Sequence, residues 1–187
     1  MRIVAGKHRS RILKTRPGQD TRPTLDKVKE SIFSSIGPYF NGGDALDLFA
    51  GSGAIGLECI SRGVDTCLFV DASFEAMKII KENIASLKEE TCCTCLKMDY
   101  KRALQECVSN QKTFSFIYID PPYGKIAYDE ILNFIDKHHL LTKEGYIICE
   151  GLKEDEFLDH YHSFKQKKET IYGITKICIY KGNEENQ

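Results

Sequence analysis

Residues 45–56 read ALDLFAGSGAIG, an apolar run broken by Asp47 and followed by Gly51, Gly53 and Gly56 in the spacing G-x-G-x-x-G. After a strand and before a helix, that spacing lets the backbone turn tightly and approach a ligand closely. Three glycines in such a turn can also serve packing alone, so the flanking sequence has to decide. Downstream, 66–71 (TCLFVD) is a second predicted strand and 94–99 (TCLKMD) a third, ending in Asp71 and Asp99. Further strands are expected at 114–120 and 145–151. Helices are expected near 54–62, 73–88, 100–110 and 128–139. Strands alternating with helices imply a parallel sheet covered on both faces and joined by right-handed crossovers.

The chain ends with a predicted short helix near 154–161 and strands at about 164–172 and 174–181, joined at Gly173 as an antiparallel hairpin. Upstream, residues 2–14 read as a basic hairpin. Thr24 is expected to cap a helix over 25–36, with Leu25, Val28, Ile32, Phe33 and Ile36 on its apolar face and Gly37-Pro38 as its stop. The fold class expected is α/β: a doubly wound, Rossmann-like, mostly parallel seven-stranded sheet with a C-terminal antiparallel hairpin and a short basic N-terminal β-hairpin. Residues 1–20 would be an extension of the same unit as 21–187.

The 187 residues suit one domain with a single sizeable core. No apolar run reaches the ~18–20 residues that span a membrane. The first residues, MRIVAGKHRSRILK, lack an apolar signal region, and the expected location is cytoplasmic. Net charge is −1, but residues 1–24 hold seven Lys/Arg and one acid, so a basic arm precedes an acidic body. Such asymmetry suggests a polyanion partner, although a solvated basic surface would look the same. The eight cysteines fall mostly in apolar segments, where they act as small buried hydrophobes. Cys92 and Cys95 have a C-x-x-C spacing, but neither His138-His139 nor His160 and His162 complete a zinc site at the usual spacing, so no metal is expected.

Asp47, Asp71 and Asp99 place three carboxylates at or near the carboxyl ends of strands, where open α/β sheets bind ligands. Asp71 is placed to accept both hydrogen bonds of a ribose diol. A dinucleotide would set its pyrophosphate at the helix N-terminus, close to the repelling charge of Asp47. S-adenosylmethionine carries an amine, a ribose, an adenine and a positive sulfonium, and fits three acids better. Helix capping is the alternative role for each acid, most plainly for Asp99.

The fourth strand runs into Asp120-Pro121-Pro122-Tyr123. Proline cannot donate to a ladder and holds the preceding residue extended, so the strand must leave the sheet stiffly at a carboxylate. D-P-P-Y resembles the motif of methyltransferases acting on exocyclic amino nitrogens, and D-L-F-A-G-S-G resembles their cofactor loop. More narrowly, R-I-V-A-G-K-H-R and R-P-T-L-D-K-V-K-E-S-I-F resemble the RsmD family, which methylates N2 of a guanine in bacterial small-subunit (16S) rRNA. The resemblance runs from Arg2 to about Lys181. Ser10 departs from the family's usual glycine in a hairpin turn.

That resemblance implies a catalytic set of Asp120, Pro121, Pro122 and Tyr123. It implies that S-adenosyl-L-methionine is bound by Asp47, Phe49, Gly51, Ser52, Gly53, Asp71, Ala72, Asp99 and Tyr100, with Arg22 and Thr24 near its methionine end. RNA phosphates would meet Arg2, Lys7, Arg9, Arg11, Lys14, Arg16 and Lys125. His8 is expected to be a bystander. The partner would be small-subunit rRNA or a partly assembled small subunit, met by a monomer. Alternatives keep the chemistry but change the substrate to DNA adenine or a protein glutamine. Others are a dinucleotide-dependent oxidoreductase, which gives D-P-P-Y no role, and an idle RNA-binding assembly factor.

Overall fold

A computed structural model of the chain describes residues 1–16, 23–122 and 128–183. Arg22, Tyr123 and Lys125 lie outside the described residues, and for Thr24 only the backbone is described. The chain divides into two compact units, Met1–Ala103 and Leu104–Gln187.

The first unit begins with the N-terminal arm. Arg2 bridges Ile12 in antiparallel fashion, and the Ile3 amide donates to the Arg11 carbonyl at 3.0 Å, as the hairpin reading requires. Ile3 and Leu13 are buried and anchor the arm. Then follow α1 (Pro23–Ile36), β1 (Asp44–Asp47), α2 (Ala54–Ser61), β2 (Thr66–Asp71), α3 (Phe74–Leu87), β3 (Cys93–Lys97) and α4 (Tyr100–Ser109), whose first turn ends the unit. Helix α1 starts one residue before Thr24, at a proline suited to the first helical position, so Thr24 lies inside the helix and is not its cap. Val28, Ile32, Phe33 and Ile36 are buried as their spacing predicts. The strands are parallel in the order β3-β2-β1, with Leu46 opposite Leu68 and Phe69 opposite Cys95. Strand β1 is shorter than the apolar run suggested. It stops at Asp47 because the chain is already turning towards the glycines, and the Ala50 amide reaches across to the Val70 carbonyl at 2.9 Å.

The second unit holds β4 (Phe114–Ile119), α5 (Tyr128–Lys137), β5 (Leu141–Leu152), β6 (Phe164–Tyr172) and β7 (Thr175–Gly182), in the sheet order β4-β5-β7-β6. β4 and β5 are parallel, while β7 is antiparallel to both β5 and β6. Gly173, at φ 63°, turns the final hairpin in a conformation that costs a glycine little. Phe116, Ile117, Ile147, Ile148, Ile177 and Ile179 fill the core, with the rings of Tyr161, Phe164 and Tyr180 packed on one another in tilted and edge-to-face contacts. The helix expected near 154–161 does not form. The Leu152 amide donates to the Asp155 carboxylate at 2.7 Å and the Asp155 amide returns to the Leu152 carbonyl at 3.0 Å, which closes a turn. The Tyr180 hydroxyl then takes the Leu158 carbonyl at 2.9 Å, an acceptor a helix would need for itself.

All eight cysteines are free, and no cluster among the described residues is arranged to hold a metal ion. No described helix is long and apolar enough to cross a membrane.

Candidate active site

In the first unit the glycine loop is tied down from both ends. Asp47, 2 % exposed, accepts the Gly56 amide at 3.0 Å and so joins the end of β1 to the first turn of α2. Burial pushes its carboxyl up to about 7. The Gly56 amide bond opposes this rise and the charge of Asp71 adds to it. Asp71, at the end of β2, accepts the Gly51 amide at 2.9 Å on one oxygen and the Ser73 amide at 2.8 Å on the other. Each carboxylate oxygen can accept more than one bond, so the capacity for a ribose diol survives.

The three glycines have different reasons to be glycine. Gly51 sits at φ 56° with open space where a Cβ would project, so a ligand can come close to its backbone. Gly53, at φ 77°, is the N-cap of α2. A Cβ on Gly56 would come within 2.3 Å of the Phe69 ring, so this glycine lets the helix lie against β2. Beside the loop, the rings of Phe49 and Tyr100 meet at 5.3 Å, bringing together two residues far apart in the sequence. Ala72 is exposed next to Asp71. Asp99 is exposed and caps α4: its carboxylate accepts the Lys101 amide at 2.9 Å and its carbonyl the Ala103 amide at 3.0 Å. That is the structural role left open for this acid. A cavity of about 700 Å³ lies instead at the amino ends of the strands, beside Gly6, Lys7, Ser61, Glu89 and Cys92.

The basic arm is docked, and much of its charge is already engaged. Arg2 pairs with Asp26 at 3.0 Å, Lys7 with Glu89 at 2.6 Å and Lys14 with Glu82 at 2.9 Å, and Arg11 donates to the Ser86 carbonyl at 2.7 Å. Arg9 is exposed. Arg16 buries its Nε without a hydrogen-bond partner among the described residues. His8 has a structural partner within the protein: its Nε2 contacts the Glu89 carboxylate. Burial works against the charge on Glu89. Hydrogen bonds from Lys7, His8 and Cys92 outweigh it and hold the carboxyl below its usual range.

Two residues that the sequence reading passed over fix the arm. Glu58, fully buried, accepts the Val4 amide at 2.8 Å, the Ala5 amide at 3.0 Å and the Arg62 guanidinium at 2.8 Å, with Lys29 at 3.3 Å. Asn83 is also buried and bonds both Lys14 and Ser52. The signal was available in both cases. Glu58 is a lone acid in an apolar helix, and Asn83 stands in register with buried Ala76, Ile80 and Leu87 on α3.

In the second unit Asp120 is half-buried at the carboxyl end of β4, followed by buried Pro121 and exposed Pro122. Below it, the Tyr118 hydroxyl donates to the Glu150 carboxylate, and the Tyr128 hydroxyl donates to the Glu150 carbonyl at 2.5 Å. Burial raises the Glu150 carboxyl above its ordinary value, against the pull of the Tyr118 bond. Tyr128 packs on Phe157 with ring centroids 4.9 Å apart. These residues bracket the motif from β4, β5 and the start of α5, and none was singled out from sequence.

Residues 1–181 match the family model described as "Conserved hypothetical protein 95". The chain is 40% identical over 181 residues to a Bacillus subtilis protein named "Putative rRNA methyltransferase YlbH", covering 97% of this chain and 98% of that one. It is 28% identical to the Haemophilus influenzae "Ribosomal RNA small subunit methyltransferase D", over 96% and 93% of the two chains. Among solved structures, the Escherichia coli "Putative methyltransferase yhhF" superposes with a TM-score of 0.81 at 25% identity over 98% of both chains. The fold is therefore α/β and Rossmann-like, with its antiparallel hairpin at the C-terminal end.

Proposed function

The chain belongs to the RsmD family, described as conserved hypothetical protein 95, and on that footing we propose that it methylates the exocyclic N2 of a guanine in small-subunit rRNA, with S-adenosyl-L-methionine as donor. The observation that carries this reading is the pairing, in one family-matched chain, of an acid-tethered glycine loop with Asp120-Pro121-Pro122 at the end of a buried strand. The loop fits the cofactor in three respects. Gly51 is open to a ligand, Asp71 keeps lone pairs for a ribose, and Asp47 is a buried acid for a cationic head group. When bound, the cofactor supplies a methyl group on a positive sulfur.

The chain's own residues solve the acceptor's difficulty. A guanine amine is a poor nucleophile because its lone pair is conjugated with the ring. The Asp120 carboxylate and Pro121 carbonyl would accept its two N–H bonds, favour a pyramidal nitrogen and stabilise the positive charge that develops there. The prolines fix both acceptors in advance, and alignment of this kind is worth up to ~7–11 kcal/mol in well-oriented systems. An amine held in this way would become a cationic nitrogen on accepting the methyl group and would then lose a proton to water, so Asp120 need not be a strong base. Tyr123 would stack on the flipped base and offset part of the few kcal/mol of unstacking. Arg9, Arg16 and the partly engaged Lys7, Arg11 and Lys14 would hold phosphates. Arg2 and Lys125 would extend that contact, while Arg22 and Thr24 serve the methionine end of the cofactor.

The test is methyl transfer from labelled S-adenosylmethionine to unmethylated small subunits and to their extracted RNA, with nucleosides identified by mass spectrometry and Asp120→Ala as control. N2-methylguanosine that disappears in the variant is expected. A methylated product on another atom, or on DNA or protein alone, would overturn the assignment.

A further inference from the structure

Asn83 makes three hydrogen bonds from one amide. Its Oδ1 accepts the Lys14 amide at 2.8 Å, while its Nδ2 donates to the Lys14 carbonyl at 3.0 Å and to the Ser52 carbonyl at 2.9 Å. The side chain is 1 % exposed, and both amide hydrogens and the oxygen are used. The opposite orientation would aim Oδ1 at two carbonyl oxygens, so the assignment is fixed by its partners. Towards the arm, Asn83 engages the N–H and C=O of one residue, as a neighbouring strand would. Towards the loop, it holds the single carbonyl between Gly51 and Gly53.

That carbonyl matters because a peptide group is planar. Fixing the Ser52 C=O fixes the plane it shares with the Gly53 N–H, which itself closes the turn onto the Ala50 carbonyl at 2.7 Å. Gly51 and Gly53 both lie at positive φ and impose little preference of their own, so external bonds must choose the loop's conformation. The arm end carries the complementary property. Lys14 pairs through Nζ with Glu82, the residue beside Asn83, and Arg16 buries a guanidinium nitrogen with no hydrogen-bond partner among the described residues. An anion drawn to these cations acts on the backbone that Asn83 grips.

We propose that Asn83 is a positioning residue that couples the arm to the glycine loop, so that RNA on the arm and cofactor at the loop each favour binding of the other. The inference rests on the reading of the loop as a cofactor site and of the arm as an RNA contact. It adds the link between them. Such coupling is reciprocal, and typical couplings amount to about 5–150-fold in affinity. Buried Ile3 and Leu13 and the Glu58 bonds hold the arm without Asn83, so losing the amide should uncouple the arm without releasing it.

The experiment is a calorimetric titration of S-adenosylhomocysteine into the full chain, with and without saturating transcribed small-subunit rRNA. In the wild type, RNA is expected to tighten binding by about fivefold or more. In Asn83→Leu, and in Asn83→Asp, which keeps the Lys14 acceptor but loses both donors, the ratio falls close to one. A merely structural asparagine would lower the melting temperature and leave the ratio alone. Should both variants misfold, hydrogen exchange at Gly53 in the wild type decides: RNA without cofactor should slow it. A ratio unchanged in a folded variant, a wild type without coupling, or Gly53 exchange indifferent to RNA overturns the link. A wild type that binds RNA but no S-adenosylhomocysteine overturns the cofactor reading itself.

Discussion

Asp47 gives the sharpest quantitative expectation. Its carboxyl titrates at about 7 in the folded protein against 3.8 when solvated, with burial as the main cause. Between those values the native state keeps a proton that the unfolded chain has released, so stability falls as pH rises through the window. At 1.36 kcal/mol per pH unit the loss above pH 7 has a ceiling of about 4 kcal/mol. Asp47→Asn keeps the shape and can still accept the Gly56 amide, but it has no charge to bury. Urea midpoints of wild type and variant should therefore diverge from about pH 4 upwards, with the variant the more stable at pH 8 by up to that ceiling. Titrating groups that do not interact with Asp47 cancel in the difference. Function should move the other way. A cofactor amine on Asp47, as proposed, would favour the ionised carboxyl, so wild-type affinity should rise with pH towards 7, whereas the variant should bind weakly at every pH. Parallel stability profiles for the two proteins would refute the burial argument, and parallel affinity profiles would refute the contact.

Removing Glu58 should be costly, since Lys29 and Arg62 would be left buried beside a missing acid; Glu58→Ala is expected to lose about 3–5 kcal/mol in urea unfolding. Gly56→Ala drives a methyl into the Phe69 ring and should lose roughly 1–3 kcal/mol, read as a lower thermal midpoint. Glu82→Gln frees Lys14 from its surface partner, and filter binding at low salt should show tighter RNA binding with the melting temperature nearly unmoved. Glu150→Gln removes a half-buried carboxyl below Asp120 but keeps an acceptor for Tyr118, so folding should survive; a drop in kcat with KM for RNA unchanged would mark Glu150 as support for the motif.

Much of the fold was legible because its signals are local. Apolar runs, glycine turns and helix periodicity each sit within a few residues, and β2 was placed at its observed ends. The misses have local causes as well. Strand β1 ends early because Leu48-Phe49-Ala50 are apolar for packing reasons while their backbone is already in the turn. The stretch 154–161 has helix-forming residues, but Asp155 satisfies the Leu152 amide of β5 and Tyr180 of β7 claims the Leu158 carbonyl, and no local pattern announces which groups of those strands this stretch will meet. Among candidate site residues, the placement of the acids at or just beyond strand ends was legible. Residues that act by touching another segment, Glu58, Asn83 and Glu150, show in the sequence only as polar residues among apolar neighbours.

The arm shows why formal charge misleads. Seven cations among 24 residues read as an open field for a polyanion, but Arg2, Lys7 and Lys14 face Asp26, Glu89 and Glu82, and Arg11 faces a carbonyl. An approaching phosphate must displace these acids, so the gain per contact is the difference between two exposed ion pairs rather than the whole of one. Among the described residues of the arm, four of the six cations are already engaged, so RNA affinity should fall with salt less steeply than seven phosphate contacts would require. The same pairing holds the arm in shape without RNA, so less conformational entropy would be lost if RNA docks there as proposed. A slope of log affinity against log salt near that for seven neutralised phosphates would show that the acids let go at once and hold nothing in place. A slope nearer to that for about four neutralised phosphates is what the pairing of Arg2, Lys7 and Lys14 requires.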